Sequence, residues 1–342
     1  MHLKNPRKRS LFLSAPLVLL VTLVLLVRIG AYFPLRTQVA PHQRTPAQED
    51  MLSVEDIDEA LLHERLLLAG DWFRSMAKET TGLLEYEYRP DKEQYSSKNN
   101  HVRQLATVWS MTALGAVLED ATLLNIANNV LENYLQHMSV CEEDYCFLNI
   151  DGDAKLAYNA FALLTLGGLP DFPDRSLWQE RLARGILRQQ QPDGSYGTYF
   201  RSQRATGQDY YPGEAMLALM VLYKETGTIA YRTSVELAFP YYREYWRANR
   251  NTAFIPWHTQ AYALLFESTG DPQLAAFLFE MNDWLIANYQ ITQSKDIATI
   301  GAFVRGDPRN VTSVYAESIN EALRMALLIG DTQHAEMYRE SI

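Results

Sequence analysis

The chain has 342 residues, 47% apolar and 21% charged, which suits a packed globular protein and excludes disordered or collagen-like architecture. Its formal charge is -10, but residues 1–50 hold seven basic and two acidic residues, so the remainder carries -15. A body this acidic lacks the basic face that nucleic-acid binding requires.

The chain opens on a basic segment, residues 1–10, with Lys4, Arg7, Lys8 and Arg9. Residues 11–27 follow as an uncharged, mostly apolar run. As a helix this run would be about 25 Å long, near the short limit for spanning a bilayer. Ile29, Ala31, Tyr32 and Phe33 extend it past Arg28, whose side chain can snorkel. The reading is a transmembrane signal-anchor over residues 11–33, with residues 1–10 cytoplasmic by the positive-inside rule. A cleaved signal peptide is the competing reading; no clear small-x-small site follows the run. Either one exports the body to the periplasmic or extracellular side of the inner membrane. Residues 34–50, with Pro34, Pro41 and Pro46, read as a linker to a domain over residues 51–342.

Only two cysteines occur, Cys141 and Cys146. An exported domain permits a disulfide across VCEEDYC, and two free thiols are the alternative. Two cysteines and seven scattered histidines build no metal centre. The chain has no GxSxG elbow, Walker loop, GxGxxG fingerprint or HExxH pair, so no metal or cofactor is expected.

From residue 51 the pattern is helical, with apolar residues at three- and four-residue spacing and no convincing run of period two. Five segments share an apolar, small-residue texture and end in a turn: HVRQLATVWSMTALGAVLED, AYNAFALLTLGGL, GEAMLALMVLYKETG, TQAYALLFESTGD and ESINEALRMALLIGD. Between them lie more amphipathic helices. A period near 50 residues with two helices each predicts an all-α ring of helical hairpins, five to six in number. Helices apolar nearly all round belong inside, here over residues 102–118, 158–166, 214–224, 260–266 and 319–328. Turns from inner to outer helix are short (LEDAT, ETGTIA, STGDPQ, IGDTQ), whereas the returns are long and rich in aromatic and polar residues. Ligand chemistry is expected on the long-loop face.

The stretch RQQQPDGSYGTYF, then QDYYPGEAMLALMVLYKETGTIAYR, resembles the α/α-toroid proteins of the six-hairpin glycosidase superfamily. So do NNHVRQLATVWSMTALGAVLED and the closing GAFVRGDPRNVTSVYAESINEALRMALLIGD. The resemblance covers roughly residues 55–342. It implies glycoside hydrolases, uronyl hydrolases, epimerases or lyase domains. One departure is plain: eleven helices can be counted, the last of them short, where a full ring has twelve. A partner protein or the linker would close the gap.

The candidate chemistry lies where inner helices begin. Arg103 and Gln104 open the first and read as substrate contacts. Tyr158 and Asn159 open the second, after Asp151, Asp153 and Lys155; the two aspartates look like a calcium loop only superficially, without further ligands at EF-hand spacing. Asp209, Tyr210, Tyr211 and Glu214 form the richest set, two carboxyls and two aromatic rings at one mouth. Such carboxyls suit acid/base work on a glycosidic bond, and the rings suit sugar faces. Trp257 and His258 open the fourth inner helix; Arg305 and Glu317 belong to the last approach. Asp209, Glu214 and Glu317 are the expected catalytic carboxyls. Arg103, Gln104, Tyr158, Asn159, Tyr210, Tyr211, Trp257, His258 and Arg305 are the expected substrate contacts. Glu321, inside an apolar helix, must be paired, protonated or cavity-facing. Arginines near the mouth, Arg103, Arg201, Arg204, Arg305 and Arg309, hint at an acidic sugar, with plain surface pairing as the alternative. The expected function is a membrane-anchored glycoside hydrolase, lyase or epimerase acting on a cell-envelope or exported polysaccharide. A non-catalytic glycan-binding or assembly protein on the same fold is the alternative.

Overall fold

The helix ends of the repeat are set by local chemistry. Asn100, Asp120, Asp271 and Asp331 each accept a first-turn backbone N–H with the side chain, which fixes four helix starts. Pro212, Pro256 and Pro272 sit in first turns, where a missing N–H costs nothing. At two helix ends Gly227 and Gly270 adopt φ +70°, a left-handed conformation that reverses the chain within two residues.

A computed structural model describes residues 58–78, 82–295, 299–303 and 311–342. Eleven helices lie among them: α1 (Glu59–Ser75), α2 (His101–Leu118), α3 (Ala121–His137), α4 (Leu156–Gly167), α5 (Arg175–Arg188), α6 (Tyr211–Thr226), α7 (Ile229–Ala248), α8 (Ile255–Thr269), α9 (Pro272–Tyr289), α10 (Val311–Ile329) and α11 (Thr332–Ser341). Helices α2, α4, α6, α8 and α10 pack each against the next as an inner row. Helices α3, α5, α7, α9 and α11 each back the inner helix that precedes them, and α1 packs on α2 and α3. Helix α4 shows why: every residue from Leu156 to Leu166 is buried, so no face is left for water. The last outer helix is short, as the sequence suggested. The expected membrane helix and the linker lie outside the described residues. No helix among the described residues is long and apolar enough to cross a membrane.

Two features differ from the sequence reading. Two short antiparallel ribbons occur, β1 (Tyr88–Arg89) with β2 (Gln94–Tyr95), and β3 (Ser139–Cys141) with β4 (Cys146–Leu148). Strands of two or three residues carry too few positions for a period-two pattern to show. The return from α7 to α8 is six residues, not long, because α7 runs on to Ala248. Cys141 and Cys146 are register partners in the second ribbon and are joined by a disulfide.

The start of α6 lies unusually close to α8. A Cβ added at Gly213 would sit 2.7 Å from His258 Nδ1 and 2.8 Å from Trp257 Cβ. Gly213→Ala is expected to force the two helices apart and destabilise the fold by about 1–3 kcal/mol. Thermal unfolding measures this, and an unchanged Tm contradicts it.

Candidate functional site

The long-loop face gathers the N-terminal ends of the inner helices. Tyr211 opens α6, with the Tyr199 ring 6.2 Å away and the exposed Tyr210 ring 6.5 Å away. Lys155 caps α4 and holds its ammonium 5.5 Å from the centre of the Tyr158 ring. Arg204 stands 4.8 Å from the centre of the Tyr199 ring. Lys155 and Arg204 both reach Asp153, at 3.4 and 2.9 Å. Four tyrosines, two cations and one carboxylate thus share the mouth. Such rings offer flat apolar faces, and the charges fix orientation.

Deeper in, aromatic rings from three helices meet. Phe161 of α4 and Trp257 of α8 have ring centres 5.4 Å apart, and Trp109 of α2 lies 6.1 and 6.4 Å from them. Helices α4 and α8 pack on opposite sides of α6, so their rings meet only because both point to the ring axis. Trp109 and Trp257 are half-buried, which leaves apolar surface beneath the mouth. Trp109 was missed in the sequence because it sits mid-helix. The inward face of α2 would have shown it.

Glu214, in the first turn of α6, is 4% exposed, and its Oε2 has no hydrogen-bond partner. Burial raises its carboxyl to about 8, because the charged form loses water without gaining a counter-charge. It is therefore a neutral acid at pH 7. Burial, the neighbouring Tyr199 and the charge of Glu214 push the Tyr211 phenol upward as well.

The other expected catalytic carboxyls already have hydrogen-bond partners within the protein. Asp209 Oδ1 accepts hydrogen bonds from the Tyr245 hydroxyl and from Asn251 Nδ2, both at 3.0 Å. It staples its loop to outer helix α7 and to the α7–α8 return. Glu317 is buried between α8 and α10, where Gln260 Nε2 donates to its Oε1 at 3.2 Å. Burial raises this carboxyl to about 8 despite the Gln260 bond, and Glu321 adds to the rise. Glu321 itself is paired with Arg324 at 2.6 Å, and Arg324 also reaches Glu267.

Several expected substrate contacts make hydrogen bonds within the protein. His258 is fully buried; its Nδ1–H donates to the Phe254 carbonyl at 2.7 Å and its ring stacks on Phe254 at 3.3 Å. It faces Tyr242 of α7, between the two layers, and burial pulls its imidazole down to about 3. Asn159 accepts from the Leu148 N–H and donates to the carbonyls of Cys146 and Leu182, all within the core. Gln104 pairs with both backbone polar groups of Leu84. Arg103 is exposed and donates to the Tyr86 hydroxyl at 2.6 Å. Tyr158, Tyr210 and Tyr211 remain at the mouth, with Trp257 beneath it. Arg305 lies outside the described residues. No cluster of three or more His, Cys, Asp or Glu that could hold a metal ion occurs among the described residues.

No protein-family model matches the chain, and no curated protein matches it by sequence. Solved structures do match in shape. A family 76 glycoside hydrolase from a bovine Bacteroides thetaiotaomicron strain aligns at TM-score 0.62 and 11% identity, over 90% of this chain and 68% of that one. Cellobiose 2-epimerase from Spirochaeta thermophila aligns at TM-score 0.61 and 9% identity, over 92% and 87% of the two chains. A family 76 mannosidase from Bacteroides thetaiotaomicron aligns at TM-score 0.59 and 10% identity, over 90% and 86%. Hairpin repeat, inner and outer rows and these likenesses together show that the chain has the α/α-toroid fold of the six-hairpin glycosidase-like proteins.

Proposed function

We infer that the protein is a carbohydrate-active enzyme, a glycoside hydrolase in its simplest form, with its site on the long-loop face. One observation carries the reading: a buried carboxyl, Glu214, whose Oε2 has no hydrogen-bond partner, in the first turn of α6 beside a mouth of tyrosines. A neutral acid can protonate a glycosidic oxygen as the bond breaks, which is the first need of such chemistry. Asp153, between Lys155 and Arg204, is the carboxylate at the same mouth for the second role. Likeness to glycoside hydrolases and an epimerase supports the reading by analogy. The disulfide supports an exported body, and residues 11–33 are the proposed anchor.

A glycan-binding protein is the second reading. It is favoured by the internal bonds of Asp209 and Glu317, which leave fewer free carboxyls at the mouth. Both readings require the aromatic surface. Trp257→Ala and Tyr211→Ala are expected each to weaken oligosaccharide binding by about tenfold or more in calorimetry, an aromatic contact being worth roughly 1–3 kcal/mol. Binding untouched by both substitutions contradicts either reading.

A further inference from the structure

Two large aromatic side chains on the long-loop face stand open to solvent. Tyr210, just before α6, is 44% exposed, and Tyr289, the last residue of α9, is 40% exposed. A single exposed tyrosine needs no role. These two are tied to one loop, the α7–α8 return, by a closed set of contacts. On the Tyr210 side, Asp209 Oδ1 accepts from Asn251 Nδ2 of that return and from the Tyr245 hydroxyl of α7, both at 3.0 Å. On the Tyr289 side, the ring centre lies 5.3 Å from that of Trp284, and Trp284 packs edge-on against Trp246 at 5.5 Å. The Trp246 indole N–H donates to the Asn251 carbonyl at 3.0 Å, which closes the set. Between the two sides, Tyr315 of α10 donates its hydroxyl to Thr252 Oγ1 at 2.6 Å. Burial pushes the Tyr315 phenol up, and the phenols of Tyr289 and Tyr210 add to the rise, so both stand near it.

The return is fixed from within. Asn251 Oδ1 accepts the Phe254 N–H at 3.0 Å, so backbone sets which end of that amide meets Asp209. Asp209 spends Oδ1 on two donors, while Oδ2 receives none from the described residues, and the residue is half-exposed. A carboxylate oxygen held beside open aromatic rings suits a sugar unit. The rings cover a face of C–H groups, and the oxygen accepts from hydroxyls. This set lies away from the first mouth. Tyr211 meets Tyr199 on the side of α4, whereas Tyr210 leads through Asp209 and the return to Tyr315 of α10.

Resting on the reading that the mouth binds a glycan, we propose a second sugar platform on the same face, for a further unit of the same glycan chain. Tyr210 and Tyr289 supply its rings, and Asp209 Oδ2 supplies its acceptor. Asn251, Thr252 and Tyr315 are positioning residues that hold the loop between them. The bound glycan runs across the start of α6, from the tyrosine mouth toward the end of α9. Tyr210, 6.5 Å from the Tyr211 ring, joins the two platforms. Asp209 is here a binding carboxylate, not a reacting one.

Calorimetry on the full chain tests the platform. The probes are manno-, cello-, malto- and galacturono-oligosaccharides, each from disaccharide to hexasaccharide. At least one series is expected to gain about tenfold in affinity from its short to its long members, the scale of an added aromatic contact. Tyr289→Ala should remove that gain and leave disaccharide binding unchanged. Tyr289→Phe, which keeps the ring, should retain the gain. Asp209→Asn still accepts from Tyr245 and Asn251 but presents an amide in place of Oδ2, and should weaken the hexasaccharide by about threefold or more. Trp257→Ala should weaken short and long members alike. The platform is overturned by affinity independent of length, by a gain that survives Tyr289→Ala, by a Tyr289→Ala loss equal for short and long members, or by unchanged hexasaccharide binding in Asp209→Asn. Each of these leaves the proposed function standing. No binding by any series contradicts the proposed function and the platform with it.

Discussion

Glu214→Gln is expected to cut turnover by about 10²- to 10⁴-fold, the range for a lost general acid. The helical signal should persist, and glycan binding should change little, because Gln keeps the shape and removes only the proton. Melting should not fall, since the replaced carboxyl is buried with an unpartnered oxygen that Gln leaves uncharged at every pH. In the unmodified protein, activity should decline as pH rises through about 8, where the acid loses its proton. Steady-state rates across pH measure both effects. Full activity in the variant removes Glu214 from the mechanism.

The second large effect concerns stability and pH. Glu214 and Glu317 are both raised by burial to about 8 in the folded protein, against an ordinary value near 4.5. Between those values the folded state holds two protons that the unfolded chain has released. The contribution is fully present below about pH 4.5 and is lost as pH rises toward and through 8. Each group accounts for a loss on the order of a few kcal/mol over that window. Glu317→Gln should flatten the decline, leaving the variant more stable than the parent at pH 8.5 and nearly equal at pH 5. Denaturant melts at the two pH values read this directly. An unchanged pH slope in Glu317→Gln contradicts the assignment.

The helical ring was legible because its signals are local. Period, caps and turn glycines all act within a few residues, and segments such as 102–118 and 214–224 fall within α2 and α6. Side-chain direction was not legible. Asp209 and Tyr245 are 36 positions apart and meet only because a loop folds onto α7. His258 and Trp257 are adjacent in sequence, yet one faces the layer boundary and the other the ring axis, since neighbours on a helix point roughly 100° apart. Gln104 and Asn159 looked like polar residues awaiting a ligand. Their partners are backbone groups of Leu84, Cys146, Leu148 and Leu182, which no side-chain pattern announces. Trp109 shows the reverse: its helix reads as plain core, and only closure of the ring makes its inward face part of a site.

The most direct measurement is product analysis. The full chain is incubated with a panel of neutral and acidic polysaccharides, and chain length and reducing ends are followed with time. The expected result is shortened or altered product from at least one glycan of the panel, formed about 10²- to 10⁴-fold more slowly by Glu214→Gln. Unchanged polysaccharide throughout the panel, with no binding by any member, would contradict a carbohydrate site at the tyrosine mouth.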